Sequence, residues 1–158
     1  DSALLILKHR IKDCKQHPTI NVVKTYGSLP FIQCYASHLN QVFMNILVNA
    51  IDAFDEYQLA NSKAPEIQIF TQWKKDENSL LIAISDNGPG ISEDVLANIF
   101  NPFFTTKSVG KGTGLGLSIS YQIVTEMHEG KLSCQSALGQ GTTFYIEIPA
   151  STPHFDDV

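Results

Sequence analysis

One stretch of the chain repeats apolar residues at helical spacing more strongly than any other. Over residues 38–59, Leu39, Val42, Phe43, Ile46, Leu47, Ala50, Ile51 and Phe54 share a face. Ser37 stands where an N-cap would, and the run Asn61-Ser62-Lys63-Ala64-Pro65 would close the helix. A shorter pattern of Leu4, Leu5, Leu7 and Ile11 predicts a helix within residues 3–13, ended by Pro18. β-branched content predicts a strand over residues 20–26. The turn Gly27-Ser28-Leu29-Pro30 then leads to an expected returning strand over residues 31–35. Residues 67–73 and 80–85 read as two strands about the polar turn Lys75-Asp76-Glu77-Asn78. Ser92 would cap a short helix with Glu93 and Asp94 in its first turn. A last helix is expected over residues 115–127, stopping near Gly130. A hairpin of residues 131–135 and 142–148 follows, turned by Gly139-Gln140-Gly141. The polar tail from Ser151 should fray. Paired strands separated by helices predict an α+β fold, a mixed and mostly antiparallel sheet with helices on one face.

Composition narrows the function classes. The 158 residues suit one domain, and 43% hydrophobic content suffices for a core. A net charge of −5 argues against a dedicated nucleic-acid binder, although local cations and backbone N–H groups can still hold a polyanion. Cys14, Cys34 and Cys134 show neither a disulfide framework nor metal spacing, and read as small core hydrophobes in a reducing compartment. His9, His17, His38, His128 and His154 likewise lack metal spacing and read as surface residues or satisfied partners. No apolar run is long enough to span a bilayer and no signal peptide is present, so no membrane contact is expected of this fragment. The chain opens inside an apolar pattern at Asp1, as if cut from something larger.

The chemistry concentrates between Ser85 and Leu117. The apolar run Leu80-Leu81-Ile82-Ala83-Ile84 ends in Asp86-Asn87-Gly88-Pro89-Gly90-Ile91, and Gly110-Lys111-Gly112-Thr113-Gly114-Leu115-Gly116-Leu117 opens a helix. A carboxylate at a strand end is a fixed acceptor, suited to the exocyclic amine of adenine, though the pentapeptide alone also fits a tight turn. The glycine run exposes N–H groups suited to phosphate, with Lys107 just upstream as a cation. It is neither a Walker A loop nor a dinucleotide fingerprint. Phe100, Phe103 and Phe104 with Pro102 fit either core packing or a hinged lid. Upstream, Asn45, Asn49 and Asp52 align along one face of the long helix. The carbonyl oxygens of the two amides could coordinate a hard cation such as Mg²⁺; the same spacing also fits a solvated helix face.

Together these segments resemble the ATP-binding catalytic domain of sensor histidine kinases, a superfamily shared with gyrase-type topoisomerases, mismatch-repair ATPases and a chaperone class. Five boxes carry the resemblance in the family's order: Asn45 through Ala50, Asp86 through Ile91, Phe100 through Lys107, Gly112 through Leu117, and Gly139 through Phe144. The motifs look like the nitrogen-regulator-type and cyanobacterial multi-sensor branches. The resemblance implies the Bergerat fold, a two-layer α/β sandwich of a mixed sheet and three helices, with a flexible ATP lid over residues 101–112. It implies a helical segment, residues 1–13, leading from a missing dimerisation domain, then a catalytic domain over residues 14–150 and a frayed tail over 151–158. ATP and Mg²⁺ are the implied ligands.

The implied roles follow residue by residue. Asp86 accepts from the adenine amine with Thr142 in support through a water, and Gly88, Gly90 and Ile91 line the base. Asn49 binds Mg²⁺ with Asn45 beside it. Thr105, Thr106, Lys107, Gly112, Thr113, Gly114, Leu115, Gly116 and Leu117 surround the phosphates. Asn45, Asn49 and Lys107 are the expected catalytic residues. Many other kinases carry a lysine where Asp52 stands, which sets Asp52 apart from a direct phosphate role. Hydrolysing members of the superfamily carry Glu where Asn45 stands, and an amide cannot act as a base. Phosphotransfer to a histidine on a separate dimerisation domain, then to a response-regulator receiver, is the expected activity, in the cytoplasm or on the cytoplasmic part of a membrane-bound kinase. The alternatives are an ATP-hydrolysing member of the superfamily and a degenerate docking module.

Overall fold

Buried and exposed residues alternate along the strands, and the buried set faces one layer of helices. In β2 (Glu66–Lys74) the inward residues are Ile67 and Ile69, in β3 (Ser79–Asp86) Leu80, Ile82 and Ile84, and in β5 (Gly141–Pro149) Phe144, Ile146 and Ile148. The computed structural model describes residues 1–12, 18–56, 63–110 and 112–150. Among these, β1 (Asn21–Tyr26), β2, β3, β4 (Lys131–Ala137) and β5 form one sheet in the order β1-β2-β3-β5-β4. The β1–β2 pair is parallel and the other three are antiparallel. The mixed sheet and its helical layer agree with the expected α+β sandwich.

The long amphipathic pattern forms α3 (Ala36–Glu56), which buries Leu39, Val42, Ile46, Leu47, Ala50, Ile51 and Phe54. Against it pack α1 (Ser2–Ile6) and α5 (Gly116–Gln122). The first helical pattern is broken at Leu7, after which α2 (Lys8–Ile11) carries Arg10 toward α3. Ala3 and Leu7 both belong to the core. A short α4 (Glu93–Leu96) follows Ser92, which occupies the N-cap position without a side-chain bond. After Gln122 the last helix widens into a π-helical turn, Ile123–Met127, short of the regular helix expected through 127.

Two local expectations are corrected. Residues 31–35 form no strand. The backbone N–H of Tyr35, which a strand would give to a ladder, donates instead to Nε2 of buried His128 at 3.1 Å. Phe31 stands fully in solvent while Ile32 and Cys34 pack on the core. Nor is Ser37 the N-cap of α3. The helix starts one residue earlier, with Leu39 N–H donating to Tyr35 C=O at 3.0 Å. Cys14, His17, Asn61, Ser62, Lys111, His154, the expected end of the long helix after Glu56 and the tail fall outside the described residues.

Candidate nucleotide site

The helical layer and the loops after β3 and α4 enclose a cleft of about 960 Å³. Residues from five separated segments line it, which is the arrangement expected of a small-molecule site. Of the sequence-derived candidates, Asn45, Asn49, Asp86, Gly90, Ile91, Thr105, Thr106, Lys107, Gly112, Thr113, Gly114, Gly116, Leu117 and Thr142 all border it. Gly88 and Leu115 do not. Gly88 instead gives its N–H to Asp86 Oδ1 at 2.9 Å, and Leu115 gives its N–H to Thr113 Oγ1 at 3.3 Å.

Asp86 ends β3 opposite Thr142 of β5. Burial pushes its carboxyl up to about 6, against the lowering effect of backbone N–H bonds from Gly88 and Thr142. The wall beside it is held by Ser136, whose hydroxyl donates to Gly141 C=O at 2.9 Å, lies 2.8 Å from Thr142 Oγ1 and accepts from Ile91 N–H at 2.8 Å. Sequence reasoning passed over Ser136, because a serine in an alternating strand carries no distinguishing signal. Cys134 lies nearby, and burial followed by the Asp86 charge pushes its thiol up to about 12. Cys134 and Cys34 are free thiols packed on the core, as their pattern suggested.

The glycine at 90 is required by packing. It holds φ +75°, and a Cβ there would lie 2.0 Å from Ala137 C=O. Gly114, at φ +68°, is similarly pinned, since a Cβ would lie 2.3 Å from the Phe103 backbone. This close approach ties residue 103 to the segment that enters α5. The aromatic cluster of Phe100, Phe103 and Phe104 divides. Phe100 stacks on Tyr121 with ring centroids 5.2 Å apart, and Phe104 packs on the core beside the cleft. Phe103 is 75% exposed at φ +64°.

The stripe on α3 resolves into three environments. Asn45 donates through Nδ2 to Gly116 C=O at 3.0 Å and to Ser120 Oγ at 3.1 Å, tying α3 to the start of α5. What its amide has left to offer is the carbonyl oxygen. Asn49 Oδ1 lies 3.5 Å from Lys107 Nζ. Asp52 bonds both Lys107 and Arg10. Burial alone would raise its carboxyl, yet the hydrogen bonds and charges of Lys107 and Arg10 hold it below the usual range. Arg10 was not singled out from the sequence, where it appears only as one polar position of a short helix.

No group of three or more His, Cys, Asp or Glu residues able to hold a metal occurs among the described residues. The amide oxygens of Asn45 and Asn49 do fit Mg²⁺, which favours oxygen ligands, keeps several waters and is shared with substrate phosphates. His128 is satisfied in the core. Nε2 accepts from Tyr35, so Nδ1 carries the proton and donates to Ile123 C=O at 2.8 Å. No helix among the described residues is long and apolar enough to cross a membrane.

Comparison with known proteins places these features in context. A family model described as "Histidine kinase-, DNA gyrase B-, and HSP90-like ATPase" matches residues 34–152. The chain is 40% identical over 122 residues to Sporulation kinase E of Bacillus subtilis, covering 77% of this chain and 15% of that protein. It is 34% identical over 151 residues to the phytochrome-like protein Cph1 of Synechocystis, covering 94% of this chain and 18% of that protein. Among solved structures, the catalytic domain of histidine kinase ThkA superimposes with a TM-score of 0.75 at 27% identity, covering 96% of this chain and 91% of that one. Full-length ShkA in complex with AMPPNP gives 0.75 at 25% identity, covering 96% of this chain and 29% of that one. The chain thus spans under a fifth of the length of the two curated relatives named here.

Proposed function

The chain belongs to the histidine kinase-, DNA gyrase B- and HSP90-like ATPase family, as the ATP-binding catalytic domain of a sensor histidine kinase, and from that premise we propose how its residues share the work. The Asp86 carboxylate accepts from the exocyclic amine of adenine, with Thr142 supporting through a water. Gly90 and Ile91 border the base. Lys107, Thr105, Thr106 and the residues from Gly112 to Leu117 surround the triphosphate, with Leu115 and Gly88 acting through their neighbours. Asn49, with Asn45 beside it, would hold Mg²⁺, which when bound would supply neutralisation of the phosphate charge.

A ring nitrogen of a histidine on a separate helical dimerisation domain bonds to the γ-phosphorus as the bond to the β,γ-bridging oxygen breaks and ADP leaves; an aspartate of a response-regulator receiver then takes the phosphoryl group and frees the histidine. The cleft contributes positioning and charge complementarity rather than a covalent step. Asn45 offers no base to activate water, which favours transfer over hydrolysis. We assign the work to the cytoplasm, in keeping with free Cys34 and Cys134.

The observation that carries this reading is one cleft bordered by the half-buried Asp86 carboxylate, an amide pair and Lys107. The test supplies the helical domain in trans with γ-labelled ATP. Acid-labile label on its histidine is expected; steady ATP turnover without label would overturn the reading.

A further inference from the structure

Asp52 is the middle of a chain of charges that crosses three segments. Lys107 of the lid meets Asp52 Oδ2, while Arg10 of α2 meets Oδ1 at 2.6 Å. The same guanidinium nitrogen reaches Asp55 Oδ2 at 2.8 Å. Arg10, Asp52 and Lys107 all border the cleft, and Glu56 adds a further carboxylate to its wall. Each oxygen of Asp52 therefore holds one cation, one from the N-terminal segment and one from the lid.

The arrangement poses an electrostatic problem for a triphosphate. A lysine held by Asp52 is withheld from phosphate, and an Asp52 stripped of its lysine turns a bare negative charge on the ligand. Arg10 removes both difficulties. While its guanidinium occupies Oδ1, Lys107 can leave Oδ2 without exposing an uncompensated carboxylate. Arginine suits the task, because one of its nitrogens donates to Asp52 and Asp55 at once and the group keeps its charge at any cellular pH.

We propose that Arg10 is a positioning residue for nucleotide binding: it acts through Asp52, holding that carboxylate's charge so that Lys107 is free to exchange from Asp52 to the triphosphate. This rests on the reading of the cleft as an ATP site. Affinity for ATP then depends on where α2 sits. With α2 seated on α3, the lid lysine is available; with Arg10 drawn away, Asp52 retains Lys107 and the cleft binds nucleotide weakly. The N-terminal segment thereby sets the occupancy of the site without touching the ligand.

The experiment measures Mg-ATP affinity by titration calorimetry on the whole 158-residue chain, with folding checked by thermal melting. The variants are Arg10→Gln, Arg10→Lys, Asp52→Asn and the Arg10→Gln/Asp52→Asn pair. Arg10→Gln is expected to weaken binding about tenfold, within the range of ordinary coupling energies. Arg10→Lys should recover most of that loss. Asp52→Asn should bind about threefold more tightly than the parent chain, because the lid lysine is released and one repelling charge is gone. In that background Arg10→Gln should cost less than about twofold, a non-additivity that general destabilisation would not produce. Equal weakening by Arg10→Gln in both backgrounds would mean direct contact with phosphate and would overturn the proposal. So would an Arg10→Gln chain that binds normally, or an Asp52→Asn chain that binds worse than the parent. Should Arg10→Gln fail to fold, the sign of the Asp52→Asn change decides alone. A parent chain that binds no Mg-ATP would overturn the ATP site itself together with this proposal, whereas additivity in a chain that does bind overturns only the role of Arg10.

Discussion

Asp86 combines an ordinary residue type with an unusual setting. Its carboxyl titrates near 6 rather than at its ordinary value of 3.8, because burial outweighs two backbone N–H bonds. A folded-state value above the unfolded one means that the folded chain binds this proton more tightly. The resulting stabilisation is present below about pH 4 and lost as pH rises through 6. Asp86→Asn should therefore gain stability relative to the parent chain between pH 4 and pH 7, by about 2–3 kcal/mol in denaturant titrations. Nucleotide binding should run the other way. An amine donor needs the ionised acceptor, so ATP affinity should fall about tenfold between pH 7 and pH 5, and Asp86→Ala should bind ATP and GTP about equally poorly. Retained ATP preference would remove Asp86 from base recognition. Asp86 was legible in the sequence because it ends an apolar strand before a glycine turn. Arg10 and Ser136 were not, since what sets them apart is a partner 42 residues away for one and a strand neighbour for the other.

Elements followed their hydrophobic periods where burial decides and departed where hydrogen bonding decides. The α3 pattern and the alternation in β2, β3 and β5 each reflect one face in the core, and their positions came through within a residue or two. Residues 31–35 have strand-like composition, yet the His128 ring takes the Tyr35 N–H, a contact 93 residues apart that no local pattern encodes. His128→Phe should therefore remove the ring acceptor of the Tyr35 N–H and the ring donor to Ile123 C=O, and cost about 2–4 kcal/mol of folding stability in a denaturant melt. The hairpin glycine offers a second test. Gly141 sits at φ +87° with Asp86 C=O only 2.0 Å from where a Cβ would be. Gly141→Ala should lower stability by more than about 2 kcal/mol and distort the site around Asp86, whereas Gly139→Ala, with open space around it, should cost less.

Across the whole molecule, the resemblance located the cleft but not how its walls are held. Five boxes converge on one cavity, and the Phe103 backbone packs closely on Gly114 beside it. The chain contains no histidine in the context expected of a phosphoacceptor, so incubation with γ-labelled ATP should leave it unlabelled. Stable acid-labile label lost on His9 substitution would contradict this. The N-terminal helices, expected as a lead-in from another domain, contribute Ala3 and Leu7 to the core of this one. Deleting residues 1–12 should lower the melting temperature by roughly 5 °C or more, since two buried apolar side chains are lost. Their burial also has a mechanical consequence. A twist or a pull applied at the amino terminus meets no slack: it passes through one layer of side chains into α3, the rod on which Asn45 and Asn49 are mounted.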